Sequence, residues 1–183
     1  MITILIDKAA HKLGQDMFET ITKTRQDVKH FFLEEMDIKP CYACRGCEEK
    51  TYGRCIVRDD ADLILPYLAS SETIVVLTPI VFGGYSYQTK LIIDKIGLIG
   101  DKHYYFNNGE LVKGPKNSGI SYYVVGIHDG GDNEEIQVFK EMVAETLSLA
   151  RWAGQAIVLP YDIYGLAFLI ASLMQEAGKL RQA

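Results

Sequence analysis

TIVVLTPIVFGGYSYQTK, residues 73–90, decides the fold. Thr73 to Leu77 is an unbroken β-branched and apolar run, the pattern of a strand covered on both faces. Such a strand belongs to a sheet sandwiched between helices, in chains where strands and helices alternate. The run ends in Thr78-Pro79 and passes through Gly83-Gly84 to a helical segment. In open α/β sheets, ligands bind outside the carboxyl ends of the strands. Pro79, Ile80, Val81, Phe82, Gly83 and Gly84 therefore form a candidate ligand loop.

The alternation continues on both sides. Ile2–Ile6 is a short, continuously apolar strand. Residues 7–16 read as a loop, 18–25 as a short helix and 27–33 (DVKHFFL) as a second strand. A single helix over 15–36 fits the same residues, because Val28, Phe31 and Phe32 suit either period. Residues 87–99 read as a helix with Leu91, Ile92 and Ile96 inward and Lys90 one turn from Asp94. Residues 100–118 carry turn signals, Asn107-Asn108-Gly109 and Gly114-Pro115, and read as a hairpin or excursion. A fourth strand, 120–127 (ISYYVVGI), precedes the glycine-rich His128-Asp129-Gly130-Gly131, with Asp132 or Asn133 able to cap the next helix. That helix, 134–153, has Ile136, Phe139, Met142, Val143 and Leu147 on one stripe. A fifth strand, 156–159, and an apolar helix, 165–180, follow. The expected architecture is α/β: one three-layer domain with five parallel strands in doubly wound order 2-1-3-4-5.

A length of 183 residues suits one domain with a real core. The net charge of −5 leaves no basic footprint and argues against a nucleic-acid partner. No stretch approaches the ~20 apolar residues of a membrane span. Residues 1–6 lack the basic start and cleavage site of a secretory leader. Four clustered cysteines in that setting point to metal or redox chemistry and a cytoplasmic location, not to a disulfide framework.

The cysteines run Cys41-x2-Cys44-x2-Cys47-x7-Cys55. Three close thiols with a fourth further on is the usual arrangement around a [4Fe–4S] cluster. Zinc more often uses two separated pairs, although ligand softness alone does not separate the metals. Reduced structural thiols and a redox disulfide are the remaining readings. Asp59-Asp60 stands before Leu63-Ile64-Leu65, where carboxylates cap a helix start, and capping is favoured over catalysis. Pro66 is expected to kink that helix. His11, His30, His103 and His128 are scattered, and none is assigned catalysis.

Taken together, DIKPC-x2-C-x2-C, then G-x-C-x3-DD, then TPIVFGGYS-x3-K-x3-DK resembles the iron–sulfur flavoprotein branch of the NADPH-dependent FMN reductase family. The resemblance spans about the whole chain and is closest over residues 27–97. It implies a flavodoxin-like fold and FMN at the carboxyl edge of the sheet. Lys8, His11, Lys12, Gly14 and Gln15 would hold the phosphate. Pro79 to Gly84 and His128, Asp129, Gly130 and Gly131 would hold the ring, on which Tyr85 and Tyr87 either stack or merely pack nearby. Cys41, Cys44, Cys47 and Cys55 would bind the cluster. A donor such as NAD(P)H or a redox protein is implied, as is a homodimer or homotetramer, to which the apolar run 166–174 adds a reason. The first loop departs from the family's, which resembles GSPRKNGNT: residues 7–16 keep a glycine but no hydroxyl. Because flavin N5 carries hydride or single electrons, no catalytic acid or base is expected. Two competing readings are a dedicated electron carrier and an interaction protein that has lost FMN, with cysteines structural or zinc-binding.

Overall fold

The computed structural model describes residues 1–100, 104–107, 109–113, 119–130 and 132–161. Along them run β1 (Ile2–Ile6), α1 (His11–Thr22), β2 (Val28–Phe32), α2 (Gly46–Glu49), α3 (Ala61–Ser70), β3 (Thr73–Pro79) and α4 (Tyr87–Ile93). They are followed by β4 (Tyr104–Asn107), β5 (Glu110–Lys113), β6 (Ser121–His128), α5 (Asn133–Ala150) and β7 (Ala153–Pro160). Five strands form one parallel sheet, ordered β2-β1-β3-β6-β7. Counting only that sheet's strands, this is the expected 2-1-3-4-5. The excursion after α4 contains β4 and β5, paired antiparallel as a separate ribbon.

The continuous apolar runs follow from burial on both sides. Leu5, Ile74, Val76, Tyr122 and Val124 pack with Ile64 and Leu68 of α3, Ile92 of α4, and Phe139 and Val143 of α5. Their sequence neighbours Ile4, Ile6, Val75, Leu77, Val125 and Ile127 pack with α1 on the opposite face. Successive side chains alternate across a strand, so a polar residue at either register would lie inside. α1 answers with Leu13, Met17 and Ile21, four apart and all buried.

Several boundaries differ from the sequence reading. The expected loop over 7–16 is mostly helical, because a 3-10 turn, Lys8–Ala10, runs directly into α1. The single helix over 15–36 does not form. Its second half is β2, whose residues pair in register with β1 from Ile2↔Val28 to Ile6↔Phe32. The helix expected over 87–99 stops at Ile93 and resumes as a 3-10 turn, Ile96–Ile99, so that Lys95 turns inward. Pro66 lies inside α3 without ending it. β7 is longer than expected at both ends. The apolar helix over 165–180, its run 166–174, His103 and Gly131 lie outside the described residues. Among the described residues, no helix is long and apolar enough to cross a membrane.

Candidate functional site

β1, β3 and β6 lie side by side and parallel, so the segments after Ile6, Pro79 and His128 meet at one edge. Asp7, the first residue beyond β1, is only 5% exposed. Its Oδ1 accepts the Ala9 amide at 3.0 Å. Its Oδ2 accepts the hydroxyls of Ser86 at 2.5 Å and Thr89 at 3.2 Å. Ser86 caps α4 by accepting the Thr89 amide at 3.1 Å, and its own amide donates to the Thr78 hydroxyl at 3.2 Å. A buried carboxylate is costly unless hydrogen-bonded, and these donors offset that cost.

The five residues expected around a phosphate are spread along the turn and α1. Lys8 and Lys12 are exposed. His11 stacks on Phe32 at 4.1 Å between centroids, and its Nδ1 lies 2.7 Å from Glu34 Oε1. Gly14 is pressed on Ile6, whose side chain would stand 2.6 Å from an added Cβ. Gln15 donates to Glu19 at 3.1 Å. His11, Lys12 and Gly14 fall within the first four residues of α1, where backbone amides lack partners inside the helix.

The loop after β3 lies against the end of β6. Val81 and Gly84 exchange backbone hydrogen bonds at 3.1 and 2.9 Å. Between them Phe82 and Gly83 have φ of +49° and +72°, the left-handed pair of a tight turn. Phe82 is 92% exposed at its tip. The Ile80 amide donates to Ile127 O at 2.8 Å and ties this loop to β6. Beyond β6, the Gly130 amide donates to His128 Nδ1 at 3.1 Å, and Asp132 caps α5 through the Glu134 amide at 3.0 Å. Tyr85 turns inward, its Oη 3.2 Å from Tyr122 Oη and its ring edge-on to Phe139. Burial pushes the Tyr85 phenol above its ordinary pKa, with the Tyr122 hydrogen bond opposing. Tyr87 is exposed.

No disulfide joins the four cysteines, and all of them line one cavity of about 170 Å³ together with Ile56, Val57, Lys95 and Leu98. The loop around it is tightly wound. Ala43 and Arg45 flank Cys44 in left-handed conformation, with φ of +50° and +56°. Each such residue costs about 1–2 kcal/mol, and strain of this kind concentrates at binding sites. α2 is held against Ile56 through Gly46, where an added Cβ would stand 2.6 Å from the Ile56 side chain. Thr51 closes the loop by donating to the carbonyls of Gly46 at 3.2 Å and Arg54 at 2.5 Å. Among the described residues, no three His, Cys, Asp or Glu side chains converge on a single ion. A lone zinc needs its sulfurs about 2.3 Å from one centre. Thiols spread around a cavity suit a core of several irons, in which each sulfur takes its own metal.

Lys95 and Asp59 form a buried ion pair behind this cavity, each side chain 1% exposed. Asp59 also accepts the amides of Lys39 at 2.7 Å and Ala61 at 3.0 Å. Burial opposes its charge, but the Lys95 ammonium and the two amides outweigh burial and hold the carboxyl below its usual range. Asp60 reaches back to the Asp37 amide at 2.7 Å. The two aspartates thus pin the chain entering the cysteine loop. Asp7, Ser86, Thr89 and Lys95 carried no site role in the sequence reading, although Ser86 and Lys95 fall within the quoted motif. For Asp7 the available signal is a carboxylate directly after an apolar strand.

A family model described as NADPH-dependent FMN reductase matches residues 6–144. An iron-sulfur flavoprotein of Methanosarcina thermophila is 28% identical over 102 residues, 54% of this chain and 52% of that one. An iron-sulfur flavoprotein of Methanocaldococcus jannaschii is 29% identical over 93 residues, 51% and 43%. The chain thus spans about half the length of the curated relatives it matches. Among solved structures, an FMN-dependent NADH-azoreductase from Bacillus anthracis in complex with FMN superposes with a TM-score of 0.65. That match covers 100% of this chain and 99% of the other at 14% identity. An NAD(P)H:quinone oxidoreductase from Methanothermobacter marburgensis gives 0.59 at 10% identity, covering 97% of each. At such identities the likeness is one of fold, and that fold is flavodoxin-like.

Proposed function

The chain belongs to the NADPH-dependent FMN reductase family, and from that footing we propose that it is a flavin-dependent, NAD(P)H-linked oxidoreductase that also holds a [4Fe–4S] cluster. The observation that carries this reading is the gathering of all four thiols on one cavity, on a sheet whose carboxyl edge offers two glycine-bearing loops. When bound, a flavin exchanges hydride or single electrons and a cluster passes electrons singly. The chain's own residues bind and orient. Pro79 to Gly84 and His128 to Gly131 bracket the ring, with Phe82 offering an exposed aromatic face. Cys41, Cys44, Cys47 and Cys55 ligate the cluster. Ile56, Val57 and Leu98 form its apolar lining, and Lys95 sets a positive charge on its wall. The donor is a reduced nicotinamide or a redox protein, the acceptor a small molecule or protein, and the chain assembles as a homo-oligomer. Sedimentation at micromolar concentration tests the assembly, and a monomer refutes it.

Anaerobic purification followed by a visible spectrum and iron analysis tests the redox reading. Wild type should show flavin peaks, iron, and a shoulder near roughly 400 nm from thiolate-bound iron. Cys47→Ser should lose the iron and the shoulder while keeping the flavin, because the ring loops lie elsewhere. If the thiols only pack, the same change alters stability by about 1 kcal/mol and nothing else. No iron in either protein sinks the cluster. A colourless wild type favours the second reading, an interaction protein that kept the fold without flavin, for which the buried Asp7 speaks.

A further inference from the structure

The end of β1 is where a doubly wound sheet offers amides and a helix start to the phosphate of a nucleotide cofactor. In this chain the first residue past β1 is Asp7, and its carboxylate is buried at that edge. Both its oxygens are held, Oδ1 by the Ala9 amide at 3.0 Å and Oδ2 by the hydroxyls of Ser86 at 2.5 Å and Thr89 at 3.2 Å. An amide from the first turn and hydroxyls from the neighbouring element are the donors an incoming oxyanion would need. None of these partners is a cation, so nothing among them would neutralise a second negative charge. Two anions within hydrogen-bonding distance in a partly buried site repel strongly. The turn Lys8–Ala10 passes straight into α1, and Gly14 is already in contact with Ile6.

We propose that Asp7 is a built-in substitute for the cofactor phosphate, so that the flavin edge selects a ligand without a 5′-phosphate, riboflavin over FMN. The choice of flavin rests on the oxidoreductase reading above; the burial of Asp7 at the β1 edge does not. The ring is then carried by Pro79–Gly84 and by His128–Gly130, and the ribityl chain ends without a phosphate anchor.

Flavin-free full-length protein is titrated with FMN and with riboflavin, following the quench of flavin fluorescence, for wild type, D7N and D7S. Wild type should bind riboflavin at least tenfold more tightly than FMN. D7S removes the charge and opens space, and should move the ratio at least tenfold toward FMN. D7N removes the charge but fills the space, and should move it less. Thermal melts of the ligand-free variants report folding separately. Preference of wild type for FMN overturns the proposal, as does an unmoved ratio in folded D7S. Should D7S fail to fold, an unmoved ratio in D7N has the same force. If wild type binds neither flavin, the oxidoreductase reading falls. A gain of FMN binding in D7S would then still uphold Asp7 as the barrier, and no gain would sink both.

Discussion

Lys95 stands between α4 and the cysteine loop with its ammonium on Asp59, both side chains out of water. Removing one partner of a buried pair leaves the other uncompensated, typically at a cost of 3–5 kcal/mol. Lys95→Met should therefore lower stability by about that much in denaturant unfolding. Asp59→Leu with Lys95→Met should recover part of the loss, but not all, because the amides of Lys39 and Ala61 lose their acceptor. The pH dependence has a definite sign. The folded-state pKa of Asp59 lies below its unfolded value of about 3.9, so its contribution is complete above that value and is lost as pH falls through the folded one. The melting-temperature gap between wild type and Asp59→Asn should be constant above about pH 5 and shrink below about pH 4. A gap that widens in acid would contradict the assignment. Capping, read from sequence, accounts for one oxygen of Asp59, which does accept the Ala61 amide. The other oxygen binds Lys39 and Lys95, 20 and 36 residues away, and no local pattern announces partners at that distance.

Strands buried on both faces write themselves as continuous apolar runs, so β1, β3 and β6 were legible and their order followed. Helix limits were less so. α1 starts where a loop was expected, because Asp7, turned inward, anchors the turn that begins it. The cysteine spacing was equally plain, yet the winding of its loop was not, since nothing in Ala43 or Arg45 favours a left-handed backbone. Two substitutions probe these elements. Met17→Ala empties the buried face of α1 and should cost 2–5 kcal/mol. Gly46→Ala drives a methyl into Ile56 and should cost about 1–3 kcal/mol by overpacking, together with iron retention if α2 frames the cluster. Adding Ile56→Ala should restore both. Iron loss that persists in the double variant would mean that α2 acts by some route other than this contact.

At the scale of the molecule, the sheet protects its centre more than its rim. β3 is buried along five consecutive residues, whereas β2 is half-exposed throughout or more. Native-state amide exchange should accordingly be slowest in β1, β3 and β6 and faster in β2, where local opening avoids global unfolding. Equal protection of β2 and β3 would show that something covers the rim. The same frame sets how far apart the two candidate centres stand. Ser86 and Thr89 grip Asp7 at the start of α4, while Asp94 and Lys95, just past its end, wall the thiol cavity. Seven helical residues at 1.5 Å each make a rod of about 10 Å. α4 is thus a ruler laid between them. A paramagnetic tag on the thiols should broaden the nuclear resonances of Ser86 and Thr89 while sparing those of β7, so that the two centres can be watched as one circuit without any substrate in hand.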